Sequence, residues 1–384
     1  MTQNREEQNK AEKRTVPESF VTAKEGQLST NNHSIIIAES KRKDNSCRIH
    51  SLTMNELFDQ TFPPRPAVID ELLYSGTYIL VGSPKIGKSF LMAQIGYHVA
   101  AGLPLWDYQT RQGGVLYLAL EDDYGRLQRR LAMMFGEEGI DRLNLAIEAT
   151  TLERGLVQHL EEYCRKNEGT KLIIIDTLQR IRDTENEKYS YGKDYEVITK
   201  LKEFSDIHKV CILIVHHTRK MDSSDSFEMI SGTNGLLGAA DGAFVLKKKE
   251  RTDSEATLEI TGRDQPDQKL TLEFDQDRCI WKLLQAERGL HRHKEDPLLK
   301  HLAVITGEGG WEGSPTELLE KYEEAFPGRF KSAVALSKYL NPRVTEMLQD
   351  FGILYSSSRE HTGRKIRISY NPEESFRFHK EDKE

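Results

Sequence analysis

The residues best equipped for chemistry lie in one short stretch, Gly82-Ser83-Pro84-Lys85-Ile86-Gly87-Lys88-Ser89. The glycines let the backbone wrap closely round a ligand, and the closing Lys-Ser pair supplies a cation and a hydroxyl. Tyr78–Val81 before it reads as a buried strand and Ser89–Ala101 after it as a helix. Successive N–H groups at such a helix N-terminus attract phosphate. The stretch is therefore a P-loop, G-x-x-x-x-G-K-[ST], and all eight residues are candidate nucleotide contacts. Lys88 would neutralise the β- and γ-phosphates and Ser89 would ligate Mg²⁺. ATP and Mg²⁺ are the expected cofactors.

A metal–phosphate site also needs an acid at the end of a nearby strand. Leu172-Ile173-Ile174-Ile175-Asp176 supplies one, which makes Asp176 the second candidate metal residue. Val115–Leu120 is another strand, ending in Glu121-Asp122-Asp123. Glu121 can orient and deprotonate an attacking water, or the three acids can merely cap the next helix. Cys211-Ile212-Leu213-Ile214-Val215 delivers His216 and His217 to the same sheet edge. Either can report the γ-phosphate, or pack in a loop. No third ligand is spaced for zinc.

These strands need elements to hold them. Helices are expected at Tyr124–Phe135, Leu156–Lys166 and Tyr195–Ile207, alternating with the strands. Such alternation predicts an α/β fold with a mostly parallel sheet covered on both faces. Ala243–Lys248, Ala256–Thr261 and Leu270–Phe274 read as antiparallel strands at one edge. Residues 1–50 read as a disordered tail, 51–286 as the P-loop domain, 287–296 as a linker and 373–384 as a charged tail. Of the 384 residues 30% are charged and 37% hydrophobic, with a net charge of −7. That balance fits a globular protein, and any nucleic-acid contact must come from local basic patches. No apolar run reaches the ~20 residues of a membrane span, and a cytoplasmic location is expected. The four cysteines are scattered without metal spacing.

Residues 297–372 have a different texture. Helices are expected at Pro297–Thr306, after the capping box Ser314-Pro315-Thr316-Glu317, at Ser332–Leu340, and from Asn341-Pro342 to Phe351. A hairpin of Ile353–Ser356 and Lys365–Tyr370 follows, an outline resembling a winged helix. Arg359, Arg364, Lys365 and Arg367 make the hairpin basic. It can touch phosphate, chiefly through Arg364, Lys365 and Arg367, serve as a docking surface for a primase-like partner, or simply be a solvated charged hairpin. Arg343, Thr345 and Gln349 on the preceding helix would read bases if that helix enters a major groove.

The order P-loop, strand–Glu121, strand–Asp176-Thr177, strand–His216-His217, then Ser231-Gly232-Thr233-Asn234-Gly235-Leu236-Leu237-Gly238-Ala239-Ala240-Asp241 resembles the RecA-like core of the RepA-type replicative helicases. The resemblance covers about Phe58–Leu284. It implies a hydrolase: a ring-forming, often hexameric, DNA-stimulated ATPase serving replication of plasmids, phages and other mobile elements. It implies single-stranded DNA as partner, a DNA-facing loop at 220–232, and a basic finger that reaches a neighbour's γ-phosphate. Lys247, Lys248 and Arg263 are the candidates, and Arg263 is preferred because a guanidinium spreads its donors over phosphate oxygens. A regulatory ATPase switch that binds DNA without unwinding it is the alternative.

Overall fold

The computed structural model describes residues 51–182, 191–217, 234–250, 252–288, 296–307, 309–361 and 363–371. The expected N-terminal tail, the 220–232 loop and the charged C-terminal tail lie outside the described residues. A short helix α1 (Met54–Phe58) leads into the strand pair β1 (Ala67–Ile69) and β2 (Leu73–Tyr74). Then come β3 (Gly76–Gly82), α2 (Lys88–Ala101), β4 (Gly114–Ala119), α3 (Tyr124–Phe135) and β5 (Leu143–Ala146). They are followed by α4 (Leu156–Lys166), β6 (Thr170–Asp176), α5 (Tyr191–His208), β7 (Cys211–His217) and α6 (Asn234–Ala239). β8 (Gly242–Lys247), β9 (Glu255–Gly262), β10 (Gln268–Asp275) and β11 (Ile280–Arg288) close this part.

Among the described residues β3 to β11 form one nine-stranded sheet, β11-β10-β9-β8-β3-β7-β6-β4-β5. The six from β8 to β5 are parallel, and β9 to β11 extend the sheet antiparallel. The central strands are apolar throughout because helices cover both faces. Along β3, Tyr78 and Leu80 join the core under α2, while Ile79 and Val81 join the core under α4 and α5. β6 divides the same way, with Leu172 and Ile174 on the α2 side and Ile173 and Ile175 on the other. This phase decides where the strand-end side chains emerge: Asp176 continues the face of Ile174, and His217 continues the face of Val215.

The N-terminal ends of β3 and β8 are locked by a buried ion cluster. The Asp241 carboxylate is fully buried, accepts the Thr77 N–H at 2.9 Å, and pairs with Lys202 of α5 and, at 3.5 Å, Arg65. Arg65 also reaches Asp206 at 3.4 Å and Asp264 at 3.1 Å. Burial opposes the Asp241 charge, yet the hydrogen bonds from Lys202 and Thr77 bring its pKa below the usual carboxylate value.

The second part is smaller. α7 (Pro297–Thr306), α8 (Pro315–Ala325), α9 (Ala333–Leu340) and α10 (Val344–Phe351) enclose a core with Leu302, Leu318, Leu336 and Met347 at its centre. A three-stranded sheet, β12-β14-β13, covers it: β12 (Trp311–Gly313), β13 (Ile353–Glu360) and β14 (Gly363–Tyr370). The capping box at Ser314 and Glu317 is formed as expected. Two expectations need correction. The 287–296 linker begins too early, because Glu287 and Arg288 still pair with Lys269 and Gln268 in the sheet. Gln349 is not an open base-reading position, because it donates to the Tyr74 hydroxyl at 3.3 Å, and Asn341 beside α10 donates to the Phe58 carbonyl at 2.8 Å.

Asp241→Ala should lower stability by ~3 kcal/mol, the low end for breaking a buried pair because Lys202 and Arg65 keep some access to water. The measurement is urea unfolding. The same comparison at falling pH should show the difference shrinking, since a carboxylate with a depressed folded-state pKa stabilises only above that pKa. A loss under ~1 kcal/mol would mean that the cluster contributes as little as a surface ion pair.

Candidate functional site

The carboxyl edge of the parallel strands gathers the predicted residues. Between β3 and α2 the chain turns sharply, with Lys85 at φ 64° and Gly87 at φ 107°, both left-handed. Gly87 has a second reason to lack a side chain, since a Cβ there would lie 2.8 Å from the Trp281 ring. At Gly82 a Cβ would meet the Leu246 carbonyl oxygen at 2.7 Å. The loop is thus held from beneath by β11 and from the side by β8.

Lys88 opens α2 and is almost fully buried. Its Nζ donates to the carbonyls of Gly82 at 2.8 Å and Ser83 at 2.9 Å, folding the side chain back over the loop. Burial pushes its pKa down to about 8, partly offset by the carboxylates of Asp176 and Glu121. Asp176 is 5% exposed. Burial raises its pKa, while hydrogen bonds from the side chains of Ser89 and Tyr117 work against the rise. Ser89 and Asp176 therefore bring a hydroxyl and a carboxylate together, a set of hard oxygens suited to Mg²⁺.

Glu121 lies two residues beyond β4, with its side chain 47% exposed. Thr177 donates to Oε1 at 3.1 Å, and His217 Nε2 stands 3.6 Å from Oε2. The capping task falls to Asp123, which accepts the Arg126 N–H at 2.8 Å, so Glu121 is left for the site. The two histidines separate. His217 faces Glu121, while burial, with Arg182 and Lys88 among the nearby groups, pushes the pKa of His216 down to about 4.

Other expected residues lie apart. Arg263 follows β9, whose Gly262 pairs with Gly242, at the opposite end of the sheet from Gly82. It is exposed and donates to the Gly238 carbonyl at 3.0 Å. Lys247 and Lys248 lie at the P-loop end, but Lys248 donates to the Asp253 carbonyl at 2.8 Å and sits 5.4 Å from the Trp281 ring centre. Three of the hairpin's basic residues are paired with acids. Arg364 meets Asp59 at 3.5 Å, Lys365 meets Glu312, and Arg367 meets Glu312 at 3.0 Å and Glu360 at 2.7 Å.

Sequence reasoning missed Thr177, Tyr117 and Trp281. Thr177 was signalled only by its place after Asp176. Trp281 is fully buried in a strand that charge made look irregular. Its backbone N–H donates to Gln94 of α2 at 2.8 Å, its carbonyl accepts from Gln94 at 2.9 Å and Trp106 at 2.7 Å, and its indole N–H donates to the Gly87 carbonyl at 3.2 Å.

Residues 43–223 match the family model described as an AAA domain, which implies ATP binding. No curated protein matches the chain. Among solved structures, one isolated ATPase domain is 13% identical with a TM-score of 0.47, over 67% of this chain and 100% of that one. A DnaB-like replicative helicase, solved with its interactions with primase, is 13% identical with a TM-score of 0.46, over 67% of this chain and 69% of that one. A KaiC-like protein from Pyrococcus horikoshii is 15% identical with a TM-score of 0.43, over 58% of this chain and 100% of that one. These last three likenesses are too distant to bear on function. The matched domain, the P-loop and the mostly parallel sheet make this an α/β P-loop core. Among the described residues no helix is long and apolar enough to cross a membrane.

Burial brings the Lys88 pKa down to about 8, and a bound phosphate would favour its charged form. ATP affinity should therefore hold steady up to about pH 8 and then fall, approaching tenfold per pH unit. Titration of a fluorescent ATP analogue between pH 6.5 and 9.5 measures this (a range chosen to span the roughly 8-to-10 window). A flat profile would mean that the ammonium is held charged by more than its present neighbours.

Proposed function

We propose that this chain is an Mg-ATP-hydrolysing motor of the RepA helicase type, assembled as a ring on single-stranded DNA. The observation that carries the reading is the convergence of Lys88, Asp176 and Glu121 on one edge, with Glu121 aimed by Thr177 and His217. In it, the P-loop and Lys88 would hold the triphosphate, and Ser89 and Asp176 would hold Mg²⁺, which would supply positive charge to offset the phosphates. Glu121 takes a proton from the attacking water. His217, beside Glu121, is the candidate to report the γ-phosphate.

Arg263 cannot serve its own P-loop from the far end of the sheet. As a finger it serves a neighbouring subunit, which supports a ring of several copies, a hexamer in the family resembled. Replication of a mobile element, cytoplasmic location and a primase partner come with that resemblance. The second part, with helices, a short strand and a hairpin in the order α7-β12-α8-α9-α10-β13-β14, fits a winged helix.

Mixing tests the ring. Arg263→Ala and Lys88→Ala should each be nearly inactive alone, and together should recover DNA-stimulated ATPase, because one supplies the nucleotide site and the other the finger. Fingers in trans are worth ~10³–10⁵ in rate. Mixed rings that stay inactive, or a fully active monomer, would overturn it. Unwinding of a forked duplex by the wild type separates the motor from the regulatory switch.

The hairpin's own role turns on the pairing of its cations with acids. For Lys365 and Arg367 to reach phosphate they must leave Glu312, at a cost of ~0–1 kcal/mol for each exposed pair. Glu312→Gln should therefore tighten DNA binding and steepen its salt dependence, by up to about 0.7–0.9 in log–log slope for each additional phosphate neutralised. A salt titration against wild type reads both quantities, and no change in either would assign the hairpin to a protein surface.

A further inference from the structure

We infer that Tyr117 is a positioning residue for the metal: its phenol fixes the Asp176 carboxylate in the orientation that accepts Mg²⁺. The inference rests on the nucleotide reading above. Tyr117 is fully buried in β4 and shares the α2-side core with Val115, Leu172 and Ile174. Everything on that strand face is apolar except its hydroxyl. The hydroxyl donates to Asp176 Oδ2 at 3.1 Å and lies 3.5 Å from the Ser89 carbonyl.

The register explains why the phenol arrives there. Ala119 pairs with Asp176 and Tyr117 with Ile174, and alternation puts Tyr117 and Ala119 on one face. The small Ala119 leaves the carboxylate open to the ring two residues below. The carboxylate is therefore gripped twice, by Tyr117 from β4 and by the Ser89 side chain from α2. One oxygen is occupied by a donor that cannot move, because the ring is packed on every side. The rotamer of the metal residue is thus set by the strand that also leads to Glu121. Second-layer donors of this kind typically govern 10–100-fold in metal affinity.

The test is binding of a fluorescent ATP analogue to the full chain while Mg²⁺ is titrated, for wild type, Tyr117→Phe, Asp176→Asn and the double variant. Tyr117→Phe should raise the Mg²⁺ midpoint by ~10–100-fold and leave Mg²⁺-free nucleotide binding unchanged. On the Asp176→Asn background the same change should add nothing, because the phenol acts through that carboxylate. An unchanged midpoint, an equal shift in the Asn background, or loss of Mg²⁺-free binding by Tyr117→Phe would each overturn the role, the last by making the phenol a requirement of the fold. A wild type that binds no nucleotide would instead sink the underlying nucleotide reading.

Discussion

The structure turns on a buried ammonium. Lys88 is 3% exposed, and its charge is held by two loop carbonyls with Asp176 and Glu121 as the nearby anions. A charge in such a place is costly unless its partners are fixed. Most of the surrounding architecture fixes them. The left-handed turn at Gly87 brings the Gly82 and Ser83 carbonyls within reach, and the apolar strands β3, β6 and β7 exclude water from below. The shifted pKa values of Lys88 and Asp176 are consequences of the same dryness. A triphosphate with Mg²⁺ would supply the countercharge on both sides at once.

A sheet that holds charge at one end needs its register pinned at the other. Asp241 does this, clamping the N-terminal ends of β3 and β8 to α5. A slip of one residue would turn Asp176 away from α2 and bury a core side chain in its place. The antiparallel strands add a second restraint. Trp281 joins β11 to α2 through Gln94 and to the loop through Gly87. The P-loop is thus backed on two sides by elements that follow it in sequence by more than a hundred residues, which explains why the parallel strands alone do not complete the site.

Much of this was legible in the sequence. The apolar run Leu172–Ile175 and the glycine spacing are strong signals because both-face burial and phosphate wrapping tolerate few alternatives. Helices with clear caps, such as Pro297–Thr306 and the one after Ser314, stood out for the same reason. β5 and β12 were missed because Leu143–Ala146 and Trp311–Gly313 are too short to show a period. β11 was missed because an exposed edge strand alternates charge with apolar residues and blends into a charged stretch. Pairing of the hairpin cations with Glu312, Glu360 and Asp59 was invisible, because such partners are set by tertiary placement rather than spacing. Tyr117 was unreadable for a similar reason: one hydroxyl in an apolar strand has no periodic signature.

The antiparallel pair β8–β9 gives the proposed ring a mechanical logic. At one end Leu246 packs its carbonyl against Gly82 of the P-loop, and at the other Gly262 leads into Arg263. The paired residues between them, Gly242–Lys247 against Thr257–Gly262, span roughly 17 Å of continuous ladder. Packed into the core, such a ladder compresses little and transmits strain. If Arg263 engages a neighbour's nucleotide, a shift of one P-loop is carried along this strut to the next site without a flexible joint between. The Lys202–Asp241–Arg65 cluster braces that same far end, where the Arg263 N–H donates to the Asp241 carbonyl at 2.9 Å. The residue whose buried carboxylate pins the register of the core would then also hold, through its backbone carbonyl, the start of the finger, which ties the stability of one subunit to the chemistry of the next.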